Sequence, residues 1–189
     1  SLLDLARMDG GEFEIYREHD DLAEVVDEVI TLLNPLAREL NITVHKDLSP
    51  CVFRFDVARM RQVAINLLSN AIKYNDEGGN IEVKLMHRNE VATLVVSNTG
   101  QLIPEEELSN VFDRFNRQSK ARSSREGSTG LGLAISKAIV GSHGGTIRAD
   151  STADGLTAFT VELPTAADSS SSQRSRVHPA NSTGPNPER

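Results

Sequence analysis

The stretch DVARMRQVAINLLSNAIKY, residues 56–74, decides the fold because its pattern predicts one long amphipathic helix. Asp56 precedes the first apolar residue, where an aspartate caps a helix N-terminus. One side of the helix is apolar and consists of Met60, Val63, Ala64, Leu67, Leu68 and Ala71. With about 100° of rotation per residue, Asn66, Asn70 and Lys73 fall within about 60° on a neighbouring face. The apolar side predicts contact with a sheet, and the polar face directs two amides and an ammonium toward one place.

These three polar side chains suit the binding of a magnesium triphosphate. An amide oxygen is a hard, neutral ligand for Mg²⁺, and a lysine offers a point charge to phosphate oxygens. A solvated helix face would also explain two asparagines and a lysine. This helix alone therefore leaves a binding role and a purely structural role open.

A glycine-bearing segment, GSTGLGLAI at residues 127–135, stands where the polar stretch 113–128 changes into a second helix. Free backbone N–H groups and the positive end of the helix dipole hold phosphate at such a place. Neither a Walker A pattern nor a dinucleotide fingerprint after a strand is present. The segment indicates phosphate binding only together with other motifs.

The remaining pattern predicts a two-layer α/β (α+β) sandwich. Alternating residues predict strands at 13–17, 42–45, 52–55, 81–85, 91–96, 146–151 and 157–163, with a polar turn at 87–90. Apolar residues at helical spacing predict helices at about 22–40, 57–75, 104–110 and 129–143. The first helix is capped by Asp20 or Asp21 and has Leu33 and Leu36 on its apolar side. This order favours a mixed, mainly antiparallel sheet with about three helices packed on one face.

Four motifs in a fixed order make the chain resemble the sensor histidine kinases of two-component systems. Residues 66–74 resemble the N box of that family, 98–104 the G1 box, 112–115 the F box and 127–132 the G2 box. The resemblance covers about residues 1–164 and implies the ATP-binding catalytic domain with the Bergerat, or GHKL-type, fold. ATP would then lie between the N-box helix and a flexible lid.

The resemblance also implies roles for individual residues. Asn70 would coordinate Mg²⁺, Asn66 would assist at the metal or the phosphates, Lys73 would contact phosphate and Tyr74 would line the pocket. Asn98 stands where the family has an aspartate that accepts a hydrogen bond from the adenine amino group. The other ATP contacts implied are Gly100, Ile103, Phe112, Arg114, Phe115, Arg117, Gly127, Ser128, Thr129, Gly130, Leu131, Gly132 and Thr157. The lid would comprise residues 112–129, an electropositive cover on an acidic chain.

Position 66 also bears on the type of reaction. In the hydrolytic relatives of this family, the residue four places before the metal-binding asparagine is a glutamate that activates water. Here it is Asn66, whose amide cannot act as a base. We therefore expect phosphoryl transfer rather than hydrolysis, with catalysis based on positioning and charge stabilisation.

Three positions depart from the family pattern. Asn98 keeps an acceptor oxygen but loses the charge of a carboxylate, so we expect weaker adenine binding. Leu102 replaces the second glycine of the G1 box, and Leu156 replaces a glycine of the last glycine box. We expect a stiffer lid hinge and a more crowded pocket edge.

None of the five histidines has the setting of a phosphoacceptor. His19 follows the Gly10-Gly11 break, and His143 precedes Gly144-Gly145, where a histidine interacts favourably with a helix dipole. Residues 1–12 resemble the end of the dimerisation and phosphotransfer helix, residues 13–164 form the catalytic domain, and 165–189 are expected to be a disordered tail. The acceptor histidine would lie upstream, so we expect the chain to bind ATP without autophosphorylating.

Composition narrows the possible partners. A net charge of −7 argues against nucleic acid, and no apolar run reaches the about 18 residues needed to cross a bilayer. The single Cys51 is expected to be a buried thiol and fits a reducing cytoplasm, although the parent protein could carry a membrane anchor elsewhere. The partners that the resemblance implies are the upstream dimerisation and phosphotransfer helices and a response regulator. A homodimer is expected only for the full-length protein.

Three function hypotheses follow. The first is a kinase domain that delivers γ-phosphate to a histidine, which passes it to a response-regulator aspartate. The second is a nucleotide-sensing module without transferase activity, favoured by Asn98, Leu102 and Leu156. The third, a chaperone-type or gyrase-type ATPase, is disfavoured by Asn66.

Overall fold

The computed structural model describes residues 14–100, 102–114, 130–152 and 155–166. The predicted helix end before residue 13 and the predicted tail beyond residue 166 lie outside this part of the chain. The elements, in chain order, are β1 (Glu18–Asp21), α1 (Leu22–Glu39), β2 (Thr43–Leu48), β3 (Val52–Phe55), α2 (Val57–Lys73), β4 (Asn80–Arg88), β5 (Val91–Thr99), α3 (Glu105–Leu108), α4 (Gly132–Ser142), β6 (Thr146–Thr152) and β7 (Leu156–Pro164).

Five strands form a mixed, mainly antiparallel sheet, as the sequence predicted. Their spatial order is β2-β4-β5-β7-β6, and only the β2–β4 pair is parallel. Strands β1 and β3 form a separate antiparallel pair beside it. Asn89 and Glu90, both with positive φ, close the β4–β5 hairpin as a two-residue turn. The hairpin turn is therefore shorter than the predicted 87–90.

The three long helices cover one face of the sheet. Along β5 every second side chain is buried, and the inward ones are Ala92, Leu94, Val96 and Asn98. Helix α2 presents the predicted apolar stripe to this face, and Leu67 in its middle is fully buried. Burying one such leucine contributes about 2 kcal/mol to stability. The predicted two-layer sandwich is confirmed.

Aspartates fix the starts of the two longest helices. Asp21 accepts a hydrogen bond from Ala23 N at 2.9 Å and caps α1, so the cap is Asp21 and not Asp20. The same carboxylate oxygen accepts from Cys51 N at 2.8 Å. Cys51 is fully buried, and burial beside Asp21 raises the pKa of its thiol to about 11. The predicted buried thiol is confirmed.

Two local predictions are wrong. No strand forms within 14–17, because Tyr16 N donates to the Asp56 carboxylate and the ladder with β3 begins only at Glu18. Leu36 is exposed, because Ala37 takes the buried position on that turn of α1.

Candidate functional site

The predicted site residues lie where three elements meet at one end of the sandwich. These elements are the polar face of α2, the C-terminal end of β5 with the loop that follows, and the start of α4. Hydrogen bonds and close backbone approaches join all three, so the N box, the G1 box and the described end of the G2 box form one continuous surface.

Asn66 links α2 to the first turn of α4. Its side-chain Nδ2 donates to the Gly132 carbonyl at 2.9 Å and to Ser136 Oγ at 3.1 Å. Ser136 Oγ itself donates to the same carbonyl at 3.0 Å. Because that carbonyl only accepts, the amide nitrogen must face α4, and the Oδ1 oxygen is left on the other side.

Asn70, Lys73 and Tyr74 continue along α2, and all three are half-buried. Among the described residues, nothing forms a hydrogen bond with the Asn70 side chain. Lys73 Nζ lies 5.2 Å from the centroid of the Tyr74 ring, within the range of a cation–π contact. Tyr74 closes the helix as its C-cap. The end of α2 therefore combines a free amide, a cation and an aromatic face.

Gly100 brings the G1 loop against the end of α2. Its φ is +120°, and a Cβ added there would lie 2.5 Å from Tyr74 O and 2.8 Å from Asn75 Cα. No other residue fits without moving the backbone of one segment or the other. The glycine is thus required by close packing as well as by its φ angle.

Thr99 and Asn75, which the sequence analysis missed, stabilise this approach. Thr99 Oγ1 donates to Asn75 Oδ1 at 2.7 Å and accepts from Asn80 N at 2.8 Å. Asn75 Nδ2 donates to Asn80 O at 3.1 Å. Their sequence signal is only their position next to Gly100 and Tyr74.

Asn98 is nearly fully buried, with 3% of its surface exposed, at the inner face of β5. Its Nδ2 donates to Thr99 O at 2.7 Å, which leaves Oδ1 without a donor among the residues described. Thr157 is its cross-strand neighbour on β7. An acceptor oxygen therefore remains available at position 98.

Thr157 belongs to a short polar chain that holds the loop after β5. Its Oγ1 lies 3.2 Å from Ser151 Oγ, which accepts a hydrogen bond from Ile103 N at 3.2 Å. The sequence pattern indicates Thr157 and Ile103 as site residues but not Ser151, which lies between them. Three strands thus contribute to this edge of the site.

Phe112 lies at the root of the predicted lid and is buried in the core. Its ring makes an edge-to-face contact with Phe159, with centroids 6.2 Å apart, and Lys137 Nζ lies 5.8 Å from its centroid. Arg114 is exposed. Leu102 and Leu156 are also partly exposed, at 39% and 42%. Phe112 therefore packs in the core at the start of the predicted lid.

Of the predicted G2-box residues, Gly130, Leu131 and Gly132 are described. Gly130 has a φ of +66°, Leu131 is buried and Gly132 opens α4. Phe115, Arg117, Gly127, Ser128 and Thr129 lie outside the described residues.

The structure changes the role expected for His143 at the helix dipole. It is buried at the C-terminus of α4, where Nε2 accepts from Asp56 N at 3.0 Å and Nδ1–H donates to Ile139 O at 2.8 Å. Burial is the main cause that lowers its pKa, and the nearby Arg17 acts in the same direction, although the Ile139 hydrogen bond and Asp56 oppose them. The ring is therefore neutral and does not act as a cation on the helix dipole.

The fold and these joined motifs define an ATP-binding α/β sandwich of the Bergerat type. Residues 55–167 match the family described as histidine kinase-, DNA gyrase B- and HSP90-like ATPases. The chain belongs to this family, and its catalytic domain is of the histidine kinase type.

Individual relatives agree with this assignment. The chain is 34% identical to the circadian input-output histidine kinase CikA of Synechococcus elongatus over 86% of its own length and 22% of the relative's. It is similar to the mycobacterial sensor histidine kinase MprB, with 33% identity, a TM-score of 0.69 and coverage of 78% of this chain and 97% of that one. A complex of the histidine kinase ThkA with the response regulator TrrA matches at 26% identity and a TM-score of 0.70, over 87% of this chain and 47% of that one.

The chain spans between 18% and 39% of the length of the curated relatives it matches first. Among the residues described, no helix has both the length and the apolar character that crossing a membrane requires.

Proposed function

We propose that this domain binds Mg·ATP and transfers the γ-phosphate to a histidine supplied by an upstream segment, for relay to a response-regulator aspartate. The bond between the γ-phosphorus and the ADP oxygen breaks, and a phosphorus–nitrogen bond forms on the imidazole, which loses its ring proton. The observation that carries the proposal is the Asn66 amide joined to the start of α4. It stands where a hydrolytic enzyme needs a base, and an amide cannot take a proton from water.

A metal site formed by amide oxygens fits these residues. In the described part of the chain, no group of three or more His, Cys, Asp or Glu side chains converges on one point. The Asn70 amide has no described partner, and Asn66 has its nitrogen engaged and its oxygen left over. We assign Asn70 as the Mg²⁺ ligand and Asn66 as its assistant at the metal or the phosphates. The ion would neutralise the phosphate charge that develops during transfer.

The remaining residues would contact the phosphates or the adenine. Lys73 would contact phosphate, and the backbone N–H groups of the G2 box at the start of α4 would hold the phosphate chain. Tyr74 would line the pocket wall, and the free Oδ1 of Asn98 would accept the adenine amino group, with Thr157 beside it. The lid arginines would cover the phosphates.

We propose the organisation of the parent protein from its resemblance to the family. Residues 1–12 would end the dimerisation and phosphotransfer helix, residues 13–164 would be the catalytic domain, and residues 165–189 a tail. The partners would be the upstream helices and a response regulator, as in the ThkA–TrrA complex. The domain would act in the cytoplasm and would dimerise only through the full-length protein.

Nothing in the comparisons favours the alternative of a sensor without kinase activity. The matched relatives are named as kinases or sensor proteins, and the retained acceptor of Asn98 removes part of the reason for that alternative.

Mixing this chain with the separately expressed upstream helical hairpin and radiolabelled Mg·ATP tests the proposal. We expect acid-labile label on the hairpin only when both proteins are present. ATP binding by the chain without any labelling of the hairpin would contradict phosphoryl transfer.

A further inference from the structure

The site contains one fully buried polar side chain to which the family resemblance assigns no role. Ser136 on α4 has no exposed surface, and its hydroxyl contacts both Gly132 O and Asn66 Nδ2. The three groups form a closed triangle with sides of 2.9, 3.1 and 3.0 Å. The buried hydroxyl both donates and accepts here, because its proton goes to the carbonyl and one of its lone pairs to the amide.

We infer that Ser136 is a positioning residue that, with the Gly132 carbonyl, fixes the orientation of the Asn66 amide and makes position 66 selective for an amide over a carboxylate. This inference rests on the proposed function, in which the Asn66 oxygen faces the metal or the phosphates.

The chemistry of the triangle gives the direction of this selectivity. The Gly132 carbonyl only accepts hydrogen bonds, and Nδ2 of Asn66 donates one to it. An ionised carboxylate at position 66 would face that carbonyl oxygen at about the same distance with no proton between them, which is repulsive. The structure thus disfavours an ionised aspartate, the carboxylate isosteric with asparagine, at position 66.

Removing the Ser136 hydroxyl tests the positioning role. Ser136→Ala should weaken Mg·ATP binding about fivefold to tenfold, because the amide loses one of its two acceptors. Adenosine binding, followed by saturation-transfer NMR, should stay unchanged, because adenosine lacks the phosphates that Asn66 is placed to serve. Equal losses for both ligands, or no loss for either, would overturn the inference.

Ser142→Ala is the matched control. Ser142 lies on the same helix and makes the same type of hydrogen bond, from Oγ to Ala138 O at 2.9 Å, but at the exposed far end. It should leave both affinities unchanged. A loss of Mg·ATP affinity equal to that of Ser136→Ala would mean that the helix is merely weakened, and the inference would fall.

An isosteric substitution, Asn66→Asp, tests the selectivity without nucleotide. The carboxyl should keep its proton to donate to Gly132 O, so its pKa should rise in the folded state above the ordinary value of about 3.9. Stability relative to wild type should then fall as the pH rises above about 4 toward the raised folded pKa, because the unfolded state releases that proton first. Asn70→Asp, whose amide has no such partner, should show no such fall. A flat difference for Asn66→Asp, or equal slopes for the two variants, would overturn the inference.

The wild-type chain separates this inference from the proposed function. If it fails to bind Mg·ATP, the proposed function falls, while the pH profile of Asn66→Asp still decides whether the triangle selects an amide. If it binds and Ser136→Ala behaves like Ser142→Ala, only the inference falls.

Discussion

Helix α4 is joined to α2 at both of its own ends by side-chain hydrogen bonds, and the two joints differ in burial and in which polar atoms they leave free. The far joint consists of Asp56 and His143, and the site joint consists of Asn66, Gly132 and Ser136. At the far joint both ring nitrogens of His143 are used, and the Asp56 carboxylate accepts from Arg59 N and Tyr16 N. At the site joint, Oδ1 of the half-buried Asn66 has no described donor.

The difference separates structure from function within one helix pair. The far joint satisfies its polar groups inside the protein, which is what stability requires of buried polar atoms. At the site joint, Oδ1 of Asn66 lacks a hydrogen-bond donor, and the side chain of the neighbouring Asn70 forms no hydrogen bond among the described residues. Groups left over in this way are available to a ligand. The same two helices therefore provide a closed brace at one end and an open site at the other.

The largest expected effect is the loss of Mg·ATP affinity when the Asn70 amide is removed. Asn70→Ala should abolish detectable Mg·ATP binding, a loss of about a hundredfold or more, because it removes the proposed Mg²⁺ ligand, whose amide has no hydrogen-bond partner among the described residues. Its unfolding midpoint in urea should match that of the wild type. Titration calorimetry measures the affinity, and an unchanged affinity would show the N-box assignment to be wrong.

A smaller effect, on the free energy of unfolding, is expected at the close contact between Gly100 and the end of α2. Gly100→Ala should reduce the free energy of unfolding by about 2–4 kcal/mol, since the new Cβ would collide with Tyr74 O and the φ is unfavourable. Gly78→Ala is the control, because Gly78 also has a positive φ but nothing lies within 4 Å of its Cβ position. It should lose only about 1 kcal/mol. Equal losses in urea unfolding would contradict the close approach.

The far joint should show itself in the pH dependence of stability. His143 is neutral when folded and its pKa is lowered there, so the unfolded chain takes up a proton first as the pH falls below the ordinary value of 6.5. This contribution to stability is complete above that pH and is lost as the pH falls toward the lowered folded pKa. His143→Gln should therefore flatten the stability profile between about pH 7 and about pH 5, at a cost of about 1–2 kcal/mol near neutral pH.

His19→Gln, at an exposed position on β1, serves as the control for this profile and should keep the wild-type slope. A wild-type slope in the His143→Gln variant would mean that the far joint does not titrate as described. Melting curves followed by circular dichroism across this range are sufficient to decide.

The sequence predicted most of this architecture, because periodicity and caps are local signals. The apolar stripe of α2, the Asp56 cap and the antiparallel hairpin all follow from neighbouring residues. The strand predicted at 13–17 failed because its place depends on a tertiary partner, Asp56. The prediction that Leu36 faces the core failed because helical spacing alone did not show that Ala37, and not Leu36, takes the buried position.

Within the candidate site, the sequence named the residues that carry motifs and missed those that support them. Asn66 and Asn98 were visible as motif positions, but the direction of each amide depends on a backbone carbonyl that it meets only in the fold. Ser136, Ser151 and Asn75 carry no pattern of their own, since their roles arise from contacts between distant segments. The neutral state of His143 likewise follows from burial, which spacing alone does not reveal.

The most direct test of the central claim is to incubate the wild-type chain alone with radiolabelled Mg·ATP and to follow the bound nucleotide, the free phosphate and the protein together. We predict that ATP is bound and recovered intact, with no label on the chain. Release of phosphate at a rate set by the chain would contradict it, because that result would require a water-activating base that Asn66 does not provide.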